Sequence, residues 1–262
     1  MRLRVVGCSG SLPGPSSPAS CYLVESDDAQ GRTWRVVLDL GSGALGPLQG
    51  YTDPRTVDAV ALSHLHADHC LDLCGLYVSL RYHPVGPPAH RLPVHGPTGT
   101  AARLARAYDL DPDPGMSAEL DVREWTPGAP LQVGPLTITP HPVEHPVEAY
   151  ALRVEGPAED DPSRRVVLAY SGDTDACPGL QTAAAGADLL LAESAFEEGR
   201  DATRGIHLTG LRAGEAARDA RAARLVLTHL PPWNDPEVAL ADARRAYAGP
   251  IDLAAPGMLV AL

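Results

Sequence analysis

Five apolar runs in this chain end in a histidine or a carboxylate. Ala59–Ser63 runs into His64, and Val166–Tyr170 runs through Ser171-Gly172 into Asp173. Leu189–Ala192 runs into Glu193, Leu225–Thr228 into His229, and Val36–Leu38 into Asp39. Short runs rich in Val and Leu read as buried strands. If such strands are neighbours in a sheet, their polar ends collect along one edge, where α/β proteins assemble sites. The same pattern predicts strands at Leu3–Val6, Ser20–Glu25, Arg35–Asp39, Leu92–His95, Leu136–Pro140, Ala149–Val154 and Ile251–Ala254. Helices are predicted at Leu71–Tyr82, Thr98–Tyr108, Pro178–Ala185, Thr209–Ala222 and Pro236–Ala248. Thr209 can cap the fourth, and Asp235-Pro236 followed by Glu237 is a good start for the fifth. Strands dominate the first half and strand alternates with helix in the second, so the expectation is sheets with helices packed outside. No break in composition marks a boundary, and residues 1–262 read as one domain.

His64-Leu-His66-Ala-Asp68-His69 packs four candidate metal ligands into six residues. On a tight turn, alternate histidines can face one metal while Asp68 and His69 face a second. Neutral imidazole and carboxylate suit Zn²⁺, with Mn²⁺ or Fe as alternatives. Two metals need further ligands, and the later segments offer His145, Asp173 and His229. A carboxylate such as Asp173 has two oxygens and can bridge two cations.

HLHADH resembles the HxHxDH signature of the metallo-β-lactamase superfamily, and the later SGDT and THL segments are similar to that family's bridging aspartate and final histidine. The resemblance runs from GCSGS near the start to THLPPW near the end. It implies an α/β fold, an αββα sandwich of two mixed β-sheets flanked by helices. It implies one metal on His64, His66 and His145, and another on Asp68, His69 and His229, with Asp173 between them. His141 competes with His145, but His145 precedes the strand that leads toward SGDT, as the family pattern requires. Asp39, before Gly41-Ser42-Gly43, resembles the family aspartate that holds the metal-binding loop.

The segments around Glu193 and His207 resemble the tRNase Z branch, in which such a pair acts together. That implies His207, oriented by Glu193, as the proton donor to a leaving oxygen, with Asp68 orienting the attacking hydroxide. The tRNase Z branch carries a basic arm between the third metal histidine and the bridging aspartate. Here residues 146–172 hold two strands and the acidic turn GPAEDDPS. The overall pattern (GCSGS, SPAS, LSHLHADHCLDL, RYHP, YSGDT, LTHLPPW) resembles actinobacterial tRNase Z-like proteins described as atypical cyclic-nucleotide phosphodiesterases. The implied activity is hydrolysis of 3′,5′-cyclic nucleotides, cAMP first, to 5′-nucleotides by a hydroxide bridging two divalent ions. The alternatives are a tRNase Z-like RNA 3′-processing endonuclease without its arm, or another small-ester metallo-hydrolase.

Composition narrows the field. All 21 basic residues are Arg, which excludes a Schiff-base lysine, a P-loop lysine and a lysine general base. A formal net charge of −12 disfavours long nucleic-acid partners, so the expected substrate is a small phosphodiester. Five cysteines without a CxxC pair argue against a disulfide framework or a zinc ribbon, and Cys70 and Cys74 read as core residues on one helix. Arg81, Tyr82 and His83 read as structural, with substrate contact the alternative. No stretch is long and apolar enough to span a bilayer, so a cytoplasmic protein without a membrane partner is expected, with a homodimer as the assembly.

Overall fold

The computed structural model describes residues 1–262. Alternation of Val and Leu along the strands gives each sheet two apolar faces, and this dictates four layers. The first sheet contains β1 (Arg2–Gly7), β2 (Cys21–Asp27), β3 (Thr33–Leu38), β4 (Ala59–Ala61), β5 (Leu92–Gly96), β6 (Leu120–Glu124) and β14 (Leu259–Ala261), in the order β14-β1-β2-β3-β4-β5-β6. The second contains β7 (Leu131–Val133), β8 (Leu136–Pro142), β9 (Tyr150–Pro157), β10 (Arg165–Tyr170), β11 (Leu189–Glu193), β12 (Leu225–Thr228) and β13 (Ile251–Leu253), in the order β13-β12-β11-β10-β9-β8-β7. Strands β3 to β6 are parallel, as are β10 to β13, and the remaining pairs are antiparallel. This is the mixed-sheet αββα sandwich.

Leu3, Val5, Tyr22, Val24, Val36 and Leu38 of the first sheet face Ile138, Leu152, Val154, Leu168, Tyr170 and Leu191 of the second. The intervening residues face outward. On the first sheet, Leu23, Val37, Val60 and Leu62 are covered by α1 (Leu45–Leu48), α3 (Leu73–Tyr82) and α4 (Thr100–Ala107). On the second, Ala169, Leu190, Ala192, Leu225 and Leu227 are covered by α5 (Pro178–Ala184), α6 (Gly210–Ala220) and α7 (Pro236–Ala246). Thr209 Oγ1 accepts from the Arg212 N–H at the start of α6, and the Asp235 carboxylate accepts from the Glu237 N–H at the start of α7.

Several sequence expectations change. The five strands with polar ends do not share a sheet. β3 and β4 are neighbours in the first, and β10, β11 and β12 are neighbours in the second. Their ends meet because the two sheets present their parallel halves to the same edge of the sandwich. The helix expected at Leu71–Tyr82 is α3, which begins at Leu73, and a separate short helix, α2 (Ala67–Cys70), precedes it. The break falls at Leu71-Asp72, where the Asp72 N–H donates to Leu40 O and its carboxylate accepts from the Leu45 N–H. Cys70 and Cys74 therefore lie on different helices, although both pack into the first outer layer. Strands β6, β7 and β14 add to the expected set. β6, LDVRE, is an edge strand with three charged residues, and the other two are three residues long. No helix is long and apolar enough to cross a membrane.

Helices α6 and α7 approach closely because two glycines of α6 face α7. A Cβ on Gly210 would lie 2.1 Å from Ala239 O, and one on Gly214 would lie 2.6 Å from Ala243 O. On an exposed helix, Gly→Ala stabilises by roughly 0.8–1.0 kcal/mol. Here the methyl has backbone in its place, so the overpacking cost of about 1–3 kcal/mol decides the sign. Gly214→Ala is expected to lower the urea midpoint. An unchanged or raised midpoint would show that the helices can separate without loss.

Candidate metal centre

The loop after β4 and the loops after β10 and β12 converge at the sandwich edge. Seven of the side chains there fall into two groups. His64, His66, His145 and Asp173 form one, and Asp68, His69, Asp173 and His229 form the other, the potential ligand atoms within each lying within 4.8 Å of one another. Asp173 belongs to both. Its Oδ2 is 3.6 Å from His64 Nε2 and 3.3 Å from His229 Nε2, and its Oδ1 is 3.2 Å from His69 Nε2. Asp68 Oδ2 lies 3.5 Å from His69 Nε2 and 3.7 Å from His229 Nε2.

Four of the five rings are held from behind. His69 Nδ1 is 2.7 Å from Asp39 Oδ2, His229 Nδ1 is 2.9 Å from Ser20 Oγ, His64 Nδ1 is 3.1 Å from Ser63 Oγ, and His145 Nδ1 donates to Ile206 O at 2.9 Å. In these four, Nδ1 is engaged outward and Nε2 is turned into the site. His66 is reversed, with Nδ1 inward, 3.0 Å from His64 Nε2 and 3.3 Å from His145 Nε2. Outer partners of this kind fix the ring and leave the inner nitrogen able to coordinate.

The interior fits a cation. Three ring nitrogens face one another around His66, an arrangement that neutral imidazoles satisfy poorly. His69 Nε2 and Asp173 Oδ1 are buried and without a hydrogen-bond partner, because their approach is not in line. Burial opposes protonation of His69, but the Asp173 and Asp39 carboxylates outweigh it and hold its pKa well above the usual imidazole range. Burial and the neighbouring His69 push His64 well below that range. Burial would raise the Asp173 carboxyl, yet His229, His69 and His64 hold it well below the usual range. Positive charge is what the seven side chains lack, and imidazole with carboxylate is a donor set that Zn²⁺ accepts.

Beside these groups stand Glu193 and His207. Glu193 is fully buried, and Oε1 accepts from the Thr174 N–H at 2.9 Å and from His207 Nδ1 at 2.8 Å. Its Oε2 accepts from the Ala195 N–H at 2.9 Å. His207 Nδ1 is also 4.0 Å from Asp173 Oδ2, and the ring retains a little solvent exposure. Burial lowers the affinity of His207 for a proton, but Glu193 more than offsets this and its pKa is pushed up to about 9.

Other sequence candidates lie elsewhere. His141 sits within β8, paired with Ala151, outside both groups. Arg81 pairs with Glu119 at 2.7 Å, and His83 Nδ1 accepts from Arg55 at 3.0 Å. Sequence reasoning missed Ser20, Ser63 and Tyr170. The Ser63 N–H and Oγ–H donate to the two oxygens of Asp39 at 2.7 Å each, and Tyr170 OH donates to Asp39 Oδ2 at 2.7 Å. Position alone signals Ser63, between a strand and the first histidine. Nothing local signals Tyr170, which reaches Asp39 from the other sheet.

Residues 35–230 match the family described as the β-lactamase superfamily domain. An uncharacterised protein of Mycobacterium leprae is 43% identical over 260 residues, covering 98% of this chain and 87% of that one. Ribonuclease Z of Myxococcus xanthus is 32% identical over 311 residues, covering 100% of this chain and 98% of its own. The probable metallo-hydrolase YhfI of Bacillus subtilis is 31% identical, covering 99% of each. The crystal structure of YhfI aligns with a TM-score of 0.83 and 28% identity, over 99% of this chain and 98% of that one. Sequence, fold and the double group of histidines and aspartates agree: the chain belongs to the metallo-β-lactamase superfamily, on the branch that includes ribonuclease Z.

Proposed function

We propose that this chain is a dinuclear metal-dependent phosphodiesterase that hydrolyses 3′,5′-cyclic nucleotides, cAMP first among them, to 5′-nucleotides. The observation that carries this reading is the His207–Glu193 pair beside two potential ligand groups that share Asp173. In this reading His64, His66 and His145 would hold one ion and Asp68, His69 and His229 the other, with Asp173 available to both. Two bound divalent ions would activate water and offset charge on the phosphate.

The chain's own residues supply the rest. His207 Nδ1 is committed to Glu193, so Nε2 is the nitrogen free to carry a proton outward. With a pKa of about 9 the ring holds that proton at neutral pH. Cleavage of a cyclic diester adds a water oxygen to phosphorus, breaks the bond to the 3′ oxygen and requires a proton on that oxygen. His207 Nε2 delivers it. Such an alkoxide is a poor leaving group, and the pair would be idle toward an ester with a stable anion to expel.

Small size of substrate is supported by the segment between His145 and Asp173. It forms the hairpin β9–β10, whose turn carries Glu159, Asp160 and Asp161 at the end of β10 opposite Asp173. It offers nothing cationic near the site to grip a polyanion. A second reading, an RNA 3′-processing endonuclease, is favoured by the identity to ribonuclease Z. It requires affinity that falls steeply with salt.

Two outcomes test the assignment. Elemental analysis should find about two divalent ions per chain, and His66→Ala should lose roughly one of them while remaining folded. A panel of 3′,5′- and 2′,3′-cyclic nucleotides, dinucleotides and precursor tRNA should show turnover concentrated on the 3′,5′-cyclic compounds. Turnover of precursor tRNA alone would install the second reading, and a fully loaded protein inert toward every phosphodiester would end both. For His207→Ala, cAMP hydrolysis should fall by about 10²–10⁴-fold, the usual worth of a positioned acid. Bis-p-nitrophenyl phosphate, whose leaving group needs no proton, should lose at least tenfold less. Equal losses on both substrates would remove the acid role from His207.

A further inference from the structure

We propose that Asp175 is a positioning residue, whose buried carboxylate clamps the Arg204–His207 segment to Arg212 and so sets where His207 meets the substrate. The inference rests on the reading of His207 as the acid.

Asp175 follows Asp173 by two residues and is almost completely buried. Its four contacts are all used. Oδ2 accepts from Arg204 Nε at 2.6 Å and from the Gly205 N–H at 2.8 Å. Oδ1 accepts from the Ala176 N–H at 2.7 Å and from Arg212 Nη1. Gly205 has a φ of +77°, so the chain bends sharply two residues before His207, at the point where the carboxylate holds it. Arg212 is itself buried, in the first turn of α6, and its Nε also reaches Thr209 Oγ1 at 3.3 Å. The clamp therefore anchors the Arg204–Gly205 loop to the helix that follows it.

The same residue ties in a third segment. The Asp175 N–H donates to Glu144 O at 3.0 Å, and His145 Nδ1 donates to Ile206 O at 2.9 Å. Asp173, His145 and His207 are thus carried by three segments that meet at Asp175, two through its carboxylate or its own chain and the His145 segment through its backbone N–H. Charge-assisted contacts of this kind are the strong ones, and Arg204 and Arg212 form no ion pair with any other carboxylate.

Asp175→Asn keeps the shape and removes the charge. Because it strands the Arg212 cation, Asp175→Asn/Arg212→Met is the companion variant that removes both charges. Metal content by elemental analysis should stay at the wild-type level in each. The kcat for cAMP should fall roughly 10–100-fold with KM within about threefold, as expected when a reacting group is displaced by a fraction of an ångström to an ångström. The loss on bis-p-nitrophenyl phosphate should be at least fivefold smaller. Added to His207→Ala, Asp175→Asn should cost nothing further, because it acts through that ring. Equal losses on both substrates, loss of metal, or full additivity with His207→Ala would each overturn the proposal. If His207→Ala itself shows no selective loss, the acid reading fails and the positioning role fails with it. If His207→Ala shows that loss and neither Asp175 variant does, only the positioning role fails.

Discussion

The carboxylate of Asp39 is the contact on which the rest of the site depends. It follows β3 in the first sheet and receives both donors of Ser63, the ring of His69 and the hydroxyl of Tyr170 from the second sheet. A crowd of imidazoles and carboxylates with their lone pairs turned inward would otherwise splay apart. Asp39 holds one ring by its rear nitrogen and fixes the strand-end turn at Ser63 from which His64 departs. It also joins the two sheets through Tyr170, whose ring packs 4.9 Å from that of Tyr22. The backbone there is held in an uncommon state: Asp39 and His229 each have a φ of +56°. That conformation costs an ordinary residue about 1–2 kcal/mol and persists where surrounding contacts over-determine it.

Electrostatics at the edge run against the protein as a whole. The chain carries a formal charge of −12, and its site adds buried carboxylates at Asp39, Asp68, Asp173 and Glu193. Left to themselves, these groups draw a proton onto His69 and another onto His207. Positive charge bound between the two ligand groups would reverse the local sign.

The strand pattern was legible because a strand buried on both faces has to be apolar at every position, and five such runs stopped at a ligand-type residue. What the pattern could not tell was which sheet each strand joins. A period of two reveals faces, not partners, so β3 and β4 could not be separated from β10, β11 and β12. Edge strands hid for a related reason. LDVRE in β6 has one exposed flank and carries the charges that go with it. The residues of the HLHADH turn, Asp173, Glu193 and His229 stood out as titratable groups after apolar runs, whereas His145 and His207 were marked by the family resemblance. Tyr170 and Asp175 did not. Tyr170 reads as one more apolar strand residue, and Asp175 as an acid in a turn. Their partners lie 131 and 37 residues away in sequence, and only folding discloses such distances.

The division of the site between the sheets has a mechanical meaning. His64, His66, Asp68 and His69 belong to the first sheet's loops, whereas His145, Asp173 and His229 belong to the second's. All five cysteines are free thiols, and no disulfide joins the two halves of the sandwich. A cation in either ligand group would cross-link the two sheets, closing chain loops of up to about 160 residues in the way a long-range disulfide does. Affinity for that ion and resistance to unfolding would then be one thermodynamic quantity, since ligands this far apart in sequence come together only in the folded state.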